Sequence, residues 1–111
     1  MTKIKEEISF KTDKDKMYDD LYGCLCGVTD KEDMKKLLAD LCTFNEVEQM
    51  TQRLLCAKLL LRGYTYNQII EITDISSATL SRVSKCLRHG SGGYRDVVGA
   101  IVKKEKDDDG V

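Results

Sequence analysis

Apolar residues recur along this chain at spacings of three and four, the period that places side chains on one face of an α-helix. Six such segments can be read. The first spans about Lys16 to Cys26, with Met17, Leu21, Cys24 and Leu25 on one stripe and Gly27 placed to end it. The second starts at Thr29 or Asp30, where Thr29 and Glu32 form a capping-box pattern, and continues through Met34, Leu37, Leu38 and Leu41. The third begins at Thr43, again with an acid three residues on, and runs to Arg62 before Gly63. Val47, Met50, Leu54, Ala57 and Leu61 make its stripe, and Leu55, Leu59 and Leu60 widen it past a single face. A helix apolar over that much of its girth is buried centrally or shared with a second subunit.

The next two helices are short and close together. The fourth covers about Tyr66 to Thr73, with Thr65 and Gln68 as a capping box; the fifth covers Ser77 to about Arg88, with Ser76 as N-cap. Only Thr73, Asp74 and Ile75 are left for the turn, which forces the second helix to cross the first steeply, as in a helix-turn-helix. Ile69 and Ile72 are expected to face inward, Ile75 to plug the angle, and Leu80, Val83 and Leu87 to hold the second helix down. Asp74 stands where such turns favour glycine and is expected to take up the left-handed conformation. After the flexible His89-Gly90-Ser91-Gly92-Gly93 break, a sixth helix from about Tyr94 to Lys104 carries Val97, Val98, Ile101 and Val102.

The polar positions left on the fifth helix give the pattern a use. Ser77, Ala78, Ser81, Arg82 and Lys85 share the face away from the apolar residues. Small side chains at its start suit entry into a major groove, and hydroxyls can read base edges or hold phosphates. Thr65, Gln68, Ser76 and Thr79 lie at the two helix starts beside that face and are added to the candidate DNA contacts.

Charge sharpens this picture. The net charge of the 111 residues is −1, an unpromising sum for a protein facing a polyanion. Yet residues 53–95 hold Arg53, Lys58, Arg62, Arg82, Lys85, Arg88 and Arg95 against only Glu71 and Asp74, and no acid occurs from Ile75 to Arg95. A solvated helix face normally mixes signs, and local charge matters more to DNA than the total. Composition excludes other classes. There is no proline to interrupt a helix, few aromatics to furnish a barrel or sandwich, and no apolar run near the ~20 residues of a membrane span. Five cysteines, an odd number without a preceding apolar signal segment, fit a reducing cytoplasm; Cys42, Cys56 and Cys86 fall within helical periodicity as small hydrophobes.

The stretch from Leu38 to Leu87 resembles the tryptophan repressor superfamily, and more closely its YerC/YecD-like branch. The resemblance rests on Leu41-Cys42-Thr43, Glu46, Arg53, Leu60-Leu61-Arg62-Gly63, Tyr64-Thr65-Tyr66 and Ser77-Ala78-Thr79-Leu80-Ser81-Arg82 in that order. It implies an all-α, six-helix Trp-repressor-like fold: an intertwined homodimer with two reading heads facing successive major grooves. It also implies an effector site at Thr43, Arg53 and Arg82, where the repressor clasps an indole between two arginines. Here the small residue beside that ring is replaced by Val83, expected to crowd it, so no cofactor is expected and tryptophan is not expected to bind. For Arg53 the ordinary alternative is a pair with Glu46 or Glu48.

Other chemistry is thin. Cys24-x-Cys26 and Cys86-x-x-His89 lack zinc-ligand spacing, so no metal is expected, and no nucleophile or acid–base pair stands out, so no enzyme is expected. The expected organisation is a flexible arm over 1–13, a DNA-binding and dimerisation domain over 14–103 and a disordered acidic tail over 104–111. The expected function is a cytoplasmic, dimeric, sequence-specific regulator, a repressor, acting on double-stranded DNA with no membrane attachment. A helical dimer that docks a protein partner through its helix-turn-helix is the main alternative, and a replication or transposase accessory domain a lesser one.

Overall fold

The computed structural model describes residues 13–108, so residues 1–12 of the expected arm and 109–111 of the expected tail lie outside the described residues. Among the described residues there are six α-helices, one π-helical segment and no strand. They divide into two compact units, one up to Thr43 and one from Phe44 onward.

The first unit holds α1 (Lys14–Gly27) and α2 (Lys31–Leu41). Asp13 caps α1 by accepting from the Lys16 backbone N–H at 3.1 Å. Asp30, and not the Thr29 of the capping-box pattern, caps α2 by accepting from the Asp33 N–H at 3.1 Å. No side chain of either helix is fully buried. Leu25, Met34, Leu37 and Leu38 are half-buried, while Met17, Tyr18, Leu21, Tyr22 and Leu41 stay exposed.

The second unit contains the helix-turn-helix and its support. It runs α3 (Phe44–Leu61), α4 (Tyr66–Ile72), α5 (Ser77–His89), the π-helical segment Gly93–Val98 and α6 (Gly99–Asp108). α3 ends at a glycine for a structural reason. The Gly63 N–H donates to Leu60 O and the Tyr64 N–H to Leu59 O, a Schellman arrangement with Gly63 in the left-handed region at φ 94°. Thr65 follows at once as the cap of α4, so the exit of α3 sets the entry of α4. The expected capping box is present: Gln68 N–H donates to Thr65 Oγ1 at 3.2 Å and Thr65 N–H to Gln68 Oε1 at 2.8 Å.

One apolar cluster joins these helices. Cys56 and Ala57 of α3, Ile69 of α4, Ile75 of the turn, and Leu80 and Val83 of α5 are buried together, with Leu59, Leu60, Leu87 and Tyr94 packed against them. Full burial of an aliphatic side chain stabilises by about 1.5–3 kcal/mol, so Ile69, Leu80 and Val83 anchor the reading helix firmly. Burial also pushes the Cys56 thiol up, which keeps it neutral and inert. Ile72, expected to face inward, is 58% exposed; only Ile69 of that pair points to the core. Cys86, expected to pack as a hydrophobe, is exposed.

The last helix differs from its sequence reading at both ends. It starts as a π-helical turn after Gly92, which sits at φ 99° and accepts from the Asp96 N–H at 2.7 Å. It runs on to Asp108, through positions 104–108 of the expected disordered tail. Glu105 supplies a reason: it accepts from Lys58 Nζ at 2.8 Å and Arg62 Nη2 at 3.1 Å, tying α6 to the last turn of α3. Lys58 first, and then Arg62, hold the Glu105 carboxyl below the usual carboxylate range.

Candidate nucleic-acid interface

The turn of the helix-turn-helix is built by a hydroxyl. Thr73 Oγ1 donates to Ile69 O at 2.6 Å and accepts from the Ile75 N–H at 3.2 Å, closing the turn through its side chain. Asp74 therefore needs no left-handed backbone, and among the described residues no non-glycine residue has positive φ. The expectation of a left-handed Asp74 is corrected on this point. Ile75 is buried, 6% exposed, and plugs the angle as expected.

Ser76 then caps α5. Its Oγ accepts from the Thr79 N–H at 3.2 Å and donates to Thr79 Oγ1 at 3.0 Å. Four of the candidate DNA contacts, Thr65, Gln68, Ser76 and Thr79, are thus engaged in caps that position the two helices; Gln68 retains its amide donors for another partner. Ser77, Ala78, Ser81, Arg82 and Lys85 are exposed together on α5, opposite buried Leu80, Val83 and Ser84. Arg88 and His89 extend the same exposed face. His89 is the last residue of α5 and not part of the break after it, because the cap bond runs from the Gly90 N–H to Cys86 O at 2.8 Å.

The cations that give residues 53–95 their surplus separate by partner. Lys58 and Arg62 are committed to Glu105, and Arg95 pairs with Asp96 at 3.0 Å. Arg53, half-buried, donates to Gln49 Oε1 at 3.0 Å, so the partner found for it is an amide on the preceding turn. Arg82, Lys85 and Arg88, all on α5, have no ion-pair partner among the described residues. The positive charge left for a polyanion is concentrated on the reading helix.

Arg53 and Arg82 do come together. With Gln49, Gln52, Ala78 and Thr79 they line an open cleft of about 380 Å³ between α3 and α5. Thr43, the third expected effector residue, belongs to the first unit. Val83 is not in this cleft: it is 1% exposed and packs in the core, because one step along α5 turns a side chain by about 100°. The expected crowding by Val83 is therefore corrected. No aromatic or large aliphatic residue lines the cleft; its wall is made of Ala78 and of the aliphatic stems and polar atoms of the other side chains. Among the described residues no group of three or more His, Cys, Asp or Glu side chains converges, and no helix is long and apolar enough to cross a membrane.

The sequence profile of the Trp repressor protein family matches residues 16–101, most of the chain and all of the helix-turn-helix. The chain belongs to the Trp repressor family. Its relatives include YerC of Bacillus subtilis (strain 168), an uncharacterized protein 36% identical over 90 residues, which cover 81% of this chain and 86% of YerC. A Staphylococcus aureus crystal structure, provisionally described as a Trp repressor, has the same architecture. It superposes with a TM-score of 0.71 at 33% identity, covering 77% of this chain and 85% of that one. The family resemblance read from Leu38 to Leu87 is thus real and extends on both sides, and the all-helical Trp-repressor-like fold goes with it. The family is one of regulators, not enzymes.

Proposed function

We propose that this protein is a cytoplasmic, dimeric, sequence-specific DNA-binding transcription regulator that acts as a repressor through α4 and α5. The observation that carries the reading is the face of α5. It begins with Ser77 and Ala78, continues through Ser81 to Arg82, Lys85 and Arg88, and meets no acid of its own helix. A helix with small residues first and unpaired cations further along is suited to lay its start in a major groove and grip phosphates beyond. Ser77, Ala78 and Ser81 would approach base edges, with Arg82 and Lys85 behind them. Thr65, Gln68, Ser76 and Thr79 would hold the helix starts beside the backbone.

Residues 14–103 would form the DNA-binding and dimerisation region. The dimer is supported by apolar surface that one copy leaves uncovered: Met17, Tyr18, Leu21 and Tyr22 on α1, and Met50, Leu54 and Leu55 on α3. Surface of that kind on a small chain marks an association site, and the intertwined arrangement of the family would bury it. The cleft holding Arg53 and Arg82 is where an effector would act on the reading helix.

Selection of duplexes from a random library tests the role. The full chain should enrich one sequence, arranged as two half-sites about one helical turn apart. Retention of no duplex by the folded protein would contradict the proposal and leave the helix-turn-helix as a docking surface for a protein partner.

A further inference from the structure

We propose that His89 is a further DNA-contacting residue of α5, one that grips a backbone phosphate only when its imidazole is protonated, so that duplex affinity rises as the medium becomes acidic. This rests on the DNA-reading role given to α5 above, and adds to it a residue and a control.

His89 is the single histidine of the chain. Histidine is the side chain whose ordinary charge change falls between pH 5 and 8. Of all places it could occupy, it ends the reading helix, exposed. Ala78, Arg82, Lys85 and His89 follow one another at spacings of four, three and four, which puts them along one stripe of that helix. Position along the helix gives the contact its type. Thirteen residues span about 20 Å at the α-helical rise, whereas the major groove is about 12 Å wide. With Ser77 in the groove, the last turn of α5 lies beyond the groove's width, at the level of the phosphates. Bases are out of reach there, and a charge that can be switched on is useful.

The charges around His89 favour this role. On α5 its neighbours are Lys85, Cys86 and Arg88, with Arg82 two turns back. α3 and the π-helical segment pack most closely against α5, and Ile69 of α4 and Ile75 of the turn meet it at Leu80 and Val83; the acids of α4 and the turn, Glu71 and Asp74, precede the start of α5, whereas His89 ends it. α3 carries Glu46, Glu48, Arg53, Cys56 and Lys58; the π-helical segment carries Tyr94, Arg95 and Asp96. Asp96, the one acid of that segment, is held by Arg95 through bonds of 3.0 and 3.3 Å. Among the described residues no hydrogen bond or ion pair engages the His89 ring. An anionic phosphate favours the charged form of an imidazole beside it, so a contact of this kind is linked to proton uptake.

The experiment uses the full chain and a duplex enriched from the random library, with wild type, His89→Gln and His89→Lys compared at pH 7.5 and 5.5 over a salt series. His89 is exposed, so both variants should melt as the wild type does. For each engaged histidine, wild-type affinity in ~0.1 M salt should rise about five- to ten-fold from pH 7.5 to 5.5, and the log–log salt slope should steepen by about one unit. His89→Gln should lose both changes and match the wild type at pH 7.5. His89→Lys should bind at both pH values as the wild type binds at pH 5.5. A wild type whose affinity and slope ignore pH, or a glutamine variant that keeps the rise, would overturn the inference while leaving the DNA-reading role standing. A folded wild type that binds no duplex at either pH would remove that role, and this inference with it.

Discussion

Single side chains on α5 divide their work by depth. Arg82 sits one turn beyond the helix start, unpaired among the described residues, and offers a planar, permanently charged fork. Arg82→Ala should therefore weaken DNA binding in a protein that still folds. A phosphate contact would show as an equal loss on all duplexes, with the salt slope lower by roughly one unit. A guanine contact would instead cost about 1–3 kcal/mol on the preferred site and relax choice at one base pair. Unchanged affinity would remove Arg82 from the interface. Arg82 also shares the cleft with Arg53, where Gln49, Gln52, Ala78 and Thr79 offer an indole no aromatic or large aliphatic side chain to pack on. Accordingly, 1 mM L-tryptophan should leave the melting temperature where it was. A ligand at 100 times its dissociation constant would add about 2.7 kcal/mol, so a clear rise with tryptophan, absent with other amino acids, would make this cleft a tryptophan site. The residues the sequence misplaced are instructive. Ile72 has the spacing of an inward residue, but its direction depends on helical phase against a core that only the folded chain defines; Val83 does pack inward, as its spacing with Leu80 and Leu87 predicts. Asp74 was assigned the strain of the turn because a side-chain closure by Thr73 leaves no pattern that distinguishes it from any other threonine.

Among the elements, α3 does most to place the reading head, and Glu105 reaches it from the far end of the unit. The carboxylate bridges Lys58 and Arg62, one helical turn apart and just before the Gly63 corner that leads into α4. Its folded pKa is depressed, so the stabilisation is fully present above the carboxyl's unfolded value of ~4.3 and is lost as pH falls through the lower folded value. Glu105→Gln should consequently lower the melting temperature at pH 7, and the gap from wild type should close below about pH 4. A gap of equal size at pH 7 and pH 3 would show that the charge of Glu105 is not what matters. The six helices themselves were legible from apolar spacing and caps, since those signals are local. The extension of α6 to Asp108 was not, because it depends on an ion pair across 43 and 47 residues of sequence, which no local pattern encodes.

At the scale of the whole molecule, the account needs a second copy. α1 and α2 fully bury no side chain, and α3 leaves Met50, Leu54 and Leu55 at least 38% exposed. Sequence alone pointed there, since the stripe of α3 was too wide for one face. Sedimentation at micromolar concentration should give one two-chain species, and Leu54→Glu should shift it to monomer with loss of stability. A stable wild-type monomer that binds DNA would contradict the dimer. The charge of the molecule also became readable only in three dimensions. The sequence located a basic region, and the structure assigns three of its seven cations to acids and leaves the free ones on α5.

The central claim is that the exposed start of α5 enters DNA, and its most direct test is a comparison of wild type with Ser77→Glu on the enriched duplex across a salt series. Ser77 is exposed at the first position of the helix, where an acid favours the helix dipole, so the variant should fold and associate as the wild type does. The same carboxylate would face bases and phosphates in the complex. The account predicts salt-sensitive binding by the wild type and none by the folded variant. Equal binding by both proteins would contradict it.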